Sequence, residues 1–208
     1  MSFEKKDLLV ANEGDRNLYI TDDINNQTFT DIIKATRGII TEDEKIAAHN
    51  KRILKNYFNM DVDFSEKKYN KETNIYISTY GGEVYFGFAI LDTIAELNKH
   101  CKVSLYAKGV VASAGVICFL SVPVKQRFCN RNTIFMIHQV SSFAFGEVKN
   151  MEESVEQTKK LNEQILDIIT SNTKITKEKL QDIVDKKQDW YINAEQALEL
   201  GLVSKIID

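Results

Sequence analysis

Residues 74–115 read NIYISTYGGEVYFGFAILDTIAELNKHCKVSLYAKGVVASAG. From Asn74 to Thr79 apolar and polar side chains alternate, the period of a half-buried strand. After Gly81-Gly82 the period lengthens, with Gly87, Ile90, Ile94 and Leu97 on one stripe and Val84, Phe88 and Leu91 beside it, which is helical spacing. Lys102 to Lys108 returns to a strand and Gly109 reads as a turn. Ala112 to Val122 is nearly all apolar with small residues, as suits a buried helix. A strand, a glycine turn and a helix, repeated, is the unit of an α/β fold with a largely parallel sheet.

The same pattern extends outward. Asn17 to Thr21 reads as a strand and Gln27 to Arg37 as a helix. Thr41 with Glu44 three residues on has the form of a capping box, opening a second amphipathic helix through Ile46, Ile53, Leu54, Tyr57 and Phe58 that ends near Asn59. Asp61 to Glu72 is polar, lysine-rich and aperiodic, a surface loop. Arg127 to Cys129 and Thr133 to His138 read as short strands joined by Asn130-Arg131-Asn132. Glu147 to Thr170 holds the longest helical pattern, with Met151, Val155, Leu161, Ile165 and Ile168 on its apolar stripe. Thr176 caps a short helix, Asn193 with Gln196 caps another that stops at Gly201, and Leu202 to Ile207 closes as a strand. Neither a linker nor an internal repeat interrupts this, so residues 1–208 read as a single domain.

With 208 residues, 43% of them hydrophobic and 27% charged, the chain can bury one ordinary core. The formal net charge of −3 comes from interspersed residues of both signs, which argues against nucleic acid and anionic membrane as partners. No apolar run approaches the roughly 20 residues that span a bilayer, and the first residues lack the apolar core of a signal peptide, so a cytoplasmic location is expected. Cys101, Cys118 and Cys129 are odd in number and sit in strand or buried-helix segments, as free thiols would. With no CxxC and only His49, His100 and His138, a metal site is not expected.

Acyl-transfer chemistry at a serine needs a base within reach, a group that orients the base, and N–H donors for the oxyanion. Ser113 lies in GVVASAG (109–115), a strand-to-helix junction whose small neighbours leave the hydroxyl accessible, although a capping serine would look the same. His138 ends the strand Ile134 to Ile137, where a histidine serves ordinary hydrogen bonding as readily as catalysis. Asp189 in KQDWYINA (187–194) reads by itself as a solvated loop residue. Gly81-Gly82 can present an unencumbered N–H or simply make a tight turn.

The order of these motifs resembles one known family, the ClpP-type (caseinolytic) serine peptidases and their ClpP-like relatives. The family's strand, glycine turn and helix are matched by STYGGEV (78–84) and GFAILDT (87–93), and its nucleophile turn by GVVASAG (109–115). Its base-bearing strand is matched by KQRFCNRN (125–132) leading into FMIHQ (135–139), and its acid-bearing tail by DWYINAEQALELGLV (189–203). The resemblance implies Ser113 as nucleophile, His138 as general base, Asp189 as orienting acid, and the Gly82 and Ala114 amides as oxyanion hole.

It further implies a ClpP/crotonase-like fold with a protruding handle helix over 147–170 and a homo-oligomer of stacked heptameric rings. Peptides or unfolded protein would be the substrate and an AAA+ unfoldase a partner, and neither metal nor organic cofactor would be needed. Some features depart from the family pattern. Tyr80 replaces the proline of the glycine turn, and the region 38–73 is longer than usual, an insertion. The chain ahead of Asn17 is short, and Gln139 to Lys149 holds one glycine, Gly146. Asp185 is a rival for the acid. Two other readings stand beside the peptidase: an inactive ClpP-like ring or scaffold subunit, and an acyl-CoA enzyme of the crotonase group.

Overall fold

The computed structural model describes residues 16–60, 69–140 and 147–208. Strand and helix alternate as the periodicity demands. β1 (Asn17–Ile20) leads to α1 (Asn26–Phe58), β2 (Tyr69–Thr79) to α2 (Val84–His100), and β3 (Cys101–Ala112) to the short, fully buried α3 (Ala114–Phe119). β4 (Arg127–Asn130) and β5 (Ile134–Ile137) precede α4 (Val148–Asn172) and α5 (Lys177–Lys186), and the chain ends with β6 (Trp190–Ile192), α6 (Ala194–Glu199) and β7 (Lys205–Ile207).

The main sheet has the order β1-β2-β3-β4-β7 and is parallel throughout. Its core side carries Ile20, Ile75, Ile77, Val103, Leu105 and Ala107, all inaccessible to solvent, against Ile90, Ile94 and Leu97 of α2. The opposite face carries one in-register row, Tyr19, Tyr76, Tyr106 and Phe128, whose rings stack at centroid spacings of 5.5, 5.2 and 5.2 Å. Such cross-strand aromatic pairs each add about 0.2–1 kcal/mol and help set the register.

β3 does not end at Gly109. The strand bends there, with Gly109 at φ 62°, and changes partners: Leu105–Ala107 pair with β4, whereas Val110–Ala112 pair with β5. β5 in turn pairs antiparallel with β6. This branch carries the segments bearing Ser113, His138 and Asp189 away from the main sheet together.

Two further sequence readings are corrected. Thr41 does not cap a second helix, because α1 runs unbroken for 33 residues from its Asn25 N-cap to a left-handed Asn59. The local capping signature loses to tertiary contacts, since Asp43 is turned inward, 1% exposed, onto Arg16 and onto His100 at 3.3 Å. The strand before Thr79 also starts earlier than the polar composition suggests, at Tyr69, because β3 supplies a partner from Cys101 onward. Readings that fall on 1–15, 61–68 and 141–146, including Gly146 and most of the polar loop, lie outside the described residues.

A second buried cation ties the C-terminal part together. Arg127 of β4, 1% exposed, donates to the carbonyls of Asn172 at the end of α4 (2.7 Å) and Gly201 (3.3 Å), and burial lowers its guanidinium to about 10. The cysteines are free and buried, and burial pushes the Cys118 thiol up to about 12 and the Cys129 thiol up to about 11. No described helix is long and apolar enough to cross a membrane.

The buried Asp43 cluster yields a contrast with an exposed pair. Asp43→Ala strands the Arg16 guanidinium and is expected to cost about 3–5 kcal/mol in denaturant unfolding. Glu96→Ala, which breaks an exposed pair with Arg37 at 3.2 Å, is expected to cost under about 1 kcal/mol. Equal effects would show that the buried cluster does not anchor α1.

Candidate active site

Ser113 occupies the sharp turn between β3 and α3 with φ 54° and ψ −124°, a conformation that costs a non-glycine residue on the order of 1–3 kcal/mol. It is held there on both sides. Its N–H donates to Met136 O of β5 at 2.9 Å, and its carbonyl accepts from Val116 N–H at 3.0 Å. The hydroxyl therefore stands off the end of the strand, at the amino end of a buried segment of helix.

The glycine turn packs directly on this elbow. A Cβ on Gly81 (φ 103°) would lie 2.7 Å from Ser113 Cβ and 2.8 Å from Ala112 O, and one on Gly82 (φ 146°) would lie 2.3 Å from Ile24 O. Ile24 N–H donates to Gly81 O at 2.7 Å and Glu83 N–H to Ile24 O at 2.8 Å, so the turn is clamped between two backbones. Thr79 Oγ1 completes the clamp by accepting from Gly81 N–H and donating to Asp22 O.

His138 follows the last residue of β5, and its Nε2 lies 2.8 Å from Ser113 Oγ. Asp189, in the turn between α5 and β6, faces the other ring nitrogen with Oδ1 3.6 Å from Nδ1. That separation is an electrostatic contact, too long for a hydrogen bond. The antiparallel pairing of Ile137 with Trp190 puts the histidine and the aspartate, each one residue beyond that pair, side by side. Asp185, the alternative acid, accepts instead from Gln181 on α5.

Ser113 and His138 border a cavity of about 260 Å³, lined with them by Gly82 and Ala114 and, on the apolar side, chiefly by Val84, Val116, Ile137 and Ile165. Tyr80, 78% exposed, stands at its rim where the resemblance would place a proline. The structure thus brings Ser113, His138, Asp189, Gly82 and Ala114 together. Ile165, part of the apolar stripe read from the sequence, faces this cavity, while the outward apolar residues of α4 include Met151 and Val155. Helical periodicity gives the stripe but not which neighbour covers which part of it.

Among the described residues no group of three or more histidine, cysteine, aspartate or glutamate side chains could hold a metal ion.

The family model described as Clp protease matches residues 25–208. The chain belongs to the Clp protease family. Among similar curated proteins, the ATP-dependent Clp protease proteolytic subunit of Deinococcus radiodurans is 32% identical over 138 residues, 66% of this chain and 66% of that protein. The ATP-dependent Clp protease proteolytic subunit 2 of Treponema pallidum is 33% identical over 141 residues, 67% of this chain and 68% of that one. The chain thus matches about two thirds of the length of these relatives. Among solved structures, a point mutant of ClpP1 from Listeria monocytogenes superposes with a TM-score of 0.69 at 24% identity, covering 93% of this chain and 91% of that one. This likeness shows the ClpP fold.

The packing of the glycine turn makes two chemically identical substitutions opposite in sign. Gly81→Ala is expected to destabilise this Clp-family chain by at least about 2 kcal/mol, since both its φ and its space exclude a side chain. Gly38→Ala, in α1 with nothing within 4 Å, is expected to stabilise it by about 0.5–1 kcal/mol. Denaturant midpoints of the two variants check this, and a neutral Gly81→Ala would mean that the turn does not press on Ser113.

Proposed function

We propose that the chain is a serine endopeptidase that hydrolyses peptides or unfolded polypeptides, with Ser113 as nucleophile, His138 as general base and Asp189 as the group that orients it. The observation that carries the reading is the 2.8 Å contact between Ser113 Oγ and His138 Nε2, made at a strained strand-to-helix turn beside a cavity. A serine held at positive φ merely to cap a helix would have no need of an imidazole at that distance, and it makes no side-chain cap hydrogen bond.

In this reading the neutral imidazole carries its proton on Nδ1, toward Asp189, leaving Nε2 free to accept from the Ser113 hydroxyl. As Oγ bonds to the carbonyl carbon, its proton passes to Nε2, and the carbonyl oxygen takes up negative charge next to the Gly82 and Ala114 amides. Collapse of this intermediate breaks the C–N bond, and Nε2–H protonates the departing amine. Water then attacks the acyl-enzyme with His138 again as base, releasing the acid and restoring Ser113. The cavity's apolar wall would receive an apolar side chain of the substrate.

Asp189 must approach by roughly 0.5 Å or more to accept a hydrogen bond from Nδ1–H, and in unliganded serine hydrolases such contacts are often long until substrate binds. The same 3.6 Å gap, with Asp189 half exposed, favours the second reading, a ring-building subunit without turnover. Ring assembly, with 147–170 as the handle between rings and 38–73 as an insertion in a single domain, extends the proposal. So do a cytoplasmic location and an AAA+ unfoldase as partner. They are supported by family membership and by relatives named as subunits of ATP-dependent proteases.

A fluorophosphonate probe separates the two readings. Covalent labelling of the wild type, abolished in Ser113→Ala without change in assembly mass, is expected, and an unlabelled wild type would sink the peptidase. Asp189→Asn is expected to slow peptide turnover by about 10²–10⁴-fold and Asp185→Asn by less than about twofold. The reverse pattern would move the third role to Asp185.

A further inference from the structure

His138 is suspended between two anchors. On its N-terminal side the β5–β6 ladder ends at the pairing of Ile137 with Trp190. On its C-terminal side Val140 N–H donates to Asn162 Oδ1 of α4 at 3.0 Å. Asn162 is itself fixed, because its Nδ2 donates to Thr158 O one turn back on the same helix at 3.1 Å. Both ends of the amide are thus used and its orientation is set by the network. His138 and Val140 both line the cavity of Ser113, and both also line the shallow cleft on the far side with Thr158 and Asp189. The strap 138–140, partly buried, therefore lies between two open spaces.

The weak aspartate contact sharpens the point. At 3.6 Å, Asp189 supplies no hydrogen bond to fix the imidazole, so the position of the base depends on the backbone that carries it. From the geometry we infer that Asn162 is a positioning residue: by accepting the Val140 N–H it holds the His138–Val140 strap against α4 and keeps Nε2 on Ser113. This inference rests on the serine-peptidase reading and adds to it a residue that touches neither substrate nor the reacting atoms. Other polar residues of α4 also reach outside it, Gln157 to Tyr85 and Asp167 to Lys177, but neither of these bonds involves the strap. Thr170 donates to Leu166 O and Asp167 O, both within α4, and serves as the control.

The test compares Asn162→Leu, Asn162→Asp and Thr170→Val with the wild type in peptide hydrolysis, fluorophosphonate labelling of Ser113 and hydrogen exchange over residues 138–140. Leucine removes both hydrogen bonds yet favours the helix, whereas aspartate keeps an acceptor for Val140 N–H and gives up only the bond to Thr158 O. A displacement of about 1 Å at a reacting group costs on the order of 100-fold in rate. Asn162→Leu is accordingly expected to lower kcat and the labelling rate about 100-fold with KM within about twofold, and to speed exchange over the strap. Asn162→Asp should recover most of the rate, and Thr170→Val should match the wild type. If Asn162→Leu does not assemble, Asn162→Ala removes the same groups without added volume and takes its place. A wild type that is never labelled overturns the serine-peptidase reading and this inference with it. A labelled wild type with a fully active Asn162→Leu, or with leucine and aspartate variants equally slow, overturns the role of Asn162 alone.

Discussion

Three stretches of backbone meet at van der Waals distance behind the candidate nucleophile: Ile24 at the entry to α1, the Gly81-Gly82 turn, and the Ser113 elbow. Any side chain on the glycines would occupy space already filled by Ile24 O or Ser113 Cβ. The two hydrogen bonds between Ile24 and the turn, and the one from Ser113 N–H to Met136 O, lock this crossing. Much of the site's geometry follows from it. The strain at Ser113 is sustained because the surroundings over-determine the turn, and Gly82 borders the cavity because its neighbour is pressed into the elbow. A protein interior packed this tightly has few ways to relax, so the hydroxyl is held by main chain and not by side-chain preference.

Around that crossing the two long helices have different tasks. α1 is anchored far from the site by a buried carboxylate between Arg16 and His100, which fastens the helix to the end of α2 and to the residue before β1. α4 borders the cavity itself through Ile165 and Ile169 and grips the strand exit beyond His138 through Asn162. Arg127 then fixes the far end of α4 to β4. The histidine and the apolar wall therefore share one support, and a shift of α4 along its axis would alter both.

Much of this was legible in the sequence, and for identifiable reasons. The change of period at Gly81-Gly82 marks a strand-to-helix crossover, and the apolar run after Ser113 marks a buried helix, because each depends on neighbours within a few residues. The motif order brought Ser113, His138 and Asp189 together as candidates, and the fold sets the first two 2.8 Å apart. What could not be read depends on distant partners. Thr41 and Glu44 carry a capping signature, yet α1 continues because Asp43 finds Arg16 and His100. Gly109 signals a turn, yet the strand survives by exchanging β4 for β5. Asn162 is one polar residue among many on a charged helix, and the return of the chain past His138 gives its amide oxygen a partner.

The chain contains a single tryptophan, and it lies at the seam of this arrangement. Trp190 follows Asp189 directly, pairs with Ile137 just before His138, and carries the Lys179 ammonium 5.0 Å above its ring. An indole responds to nearby charge and solvent, and no second indole dilutes its signal. The protein therefore carries its own optical gauge of the seam between β5 and β6, able to register, without any label, whether the histidine and the aspartate stand as they do here or have drawn together.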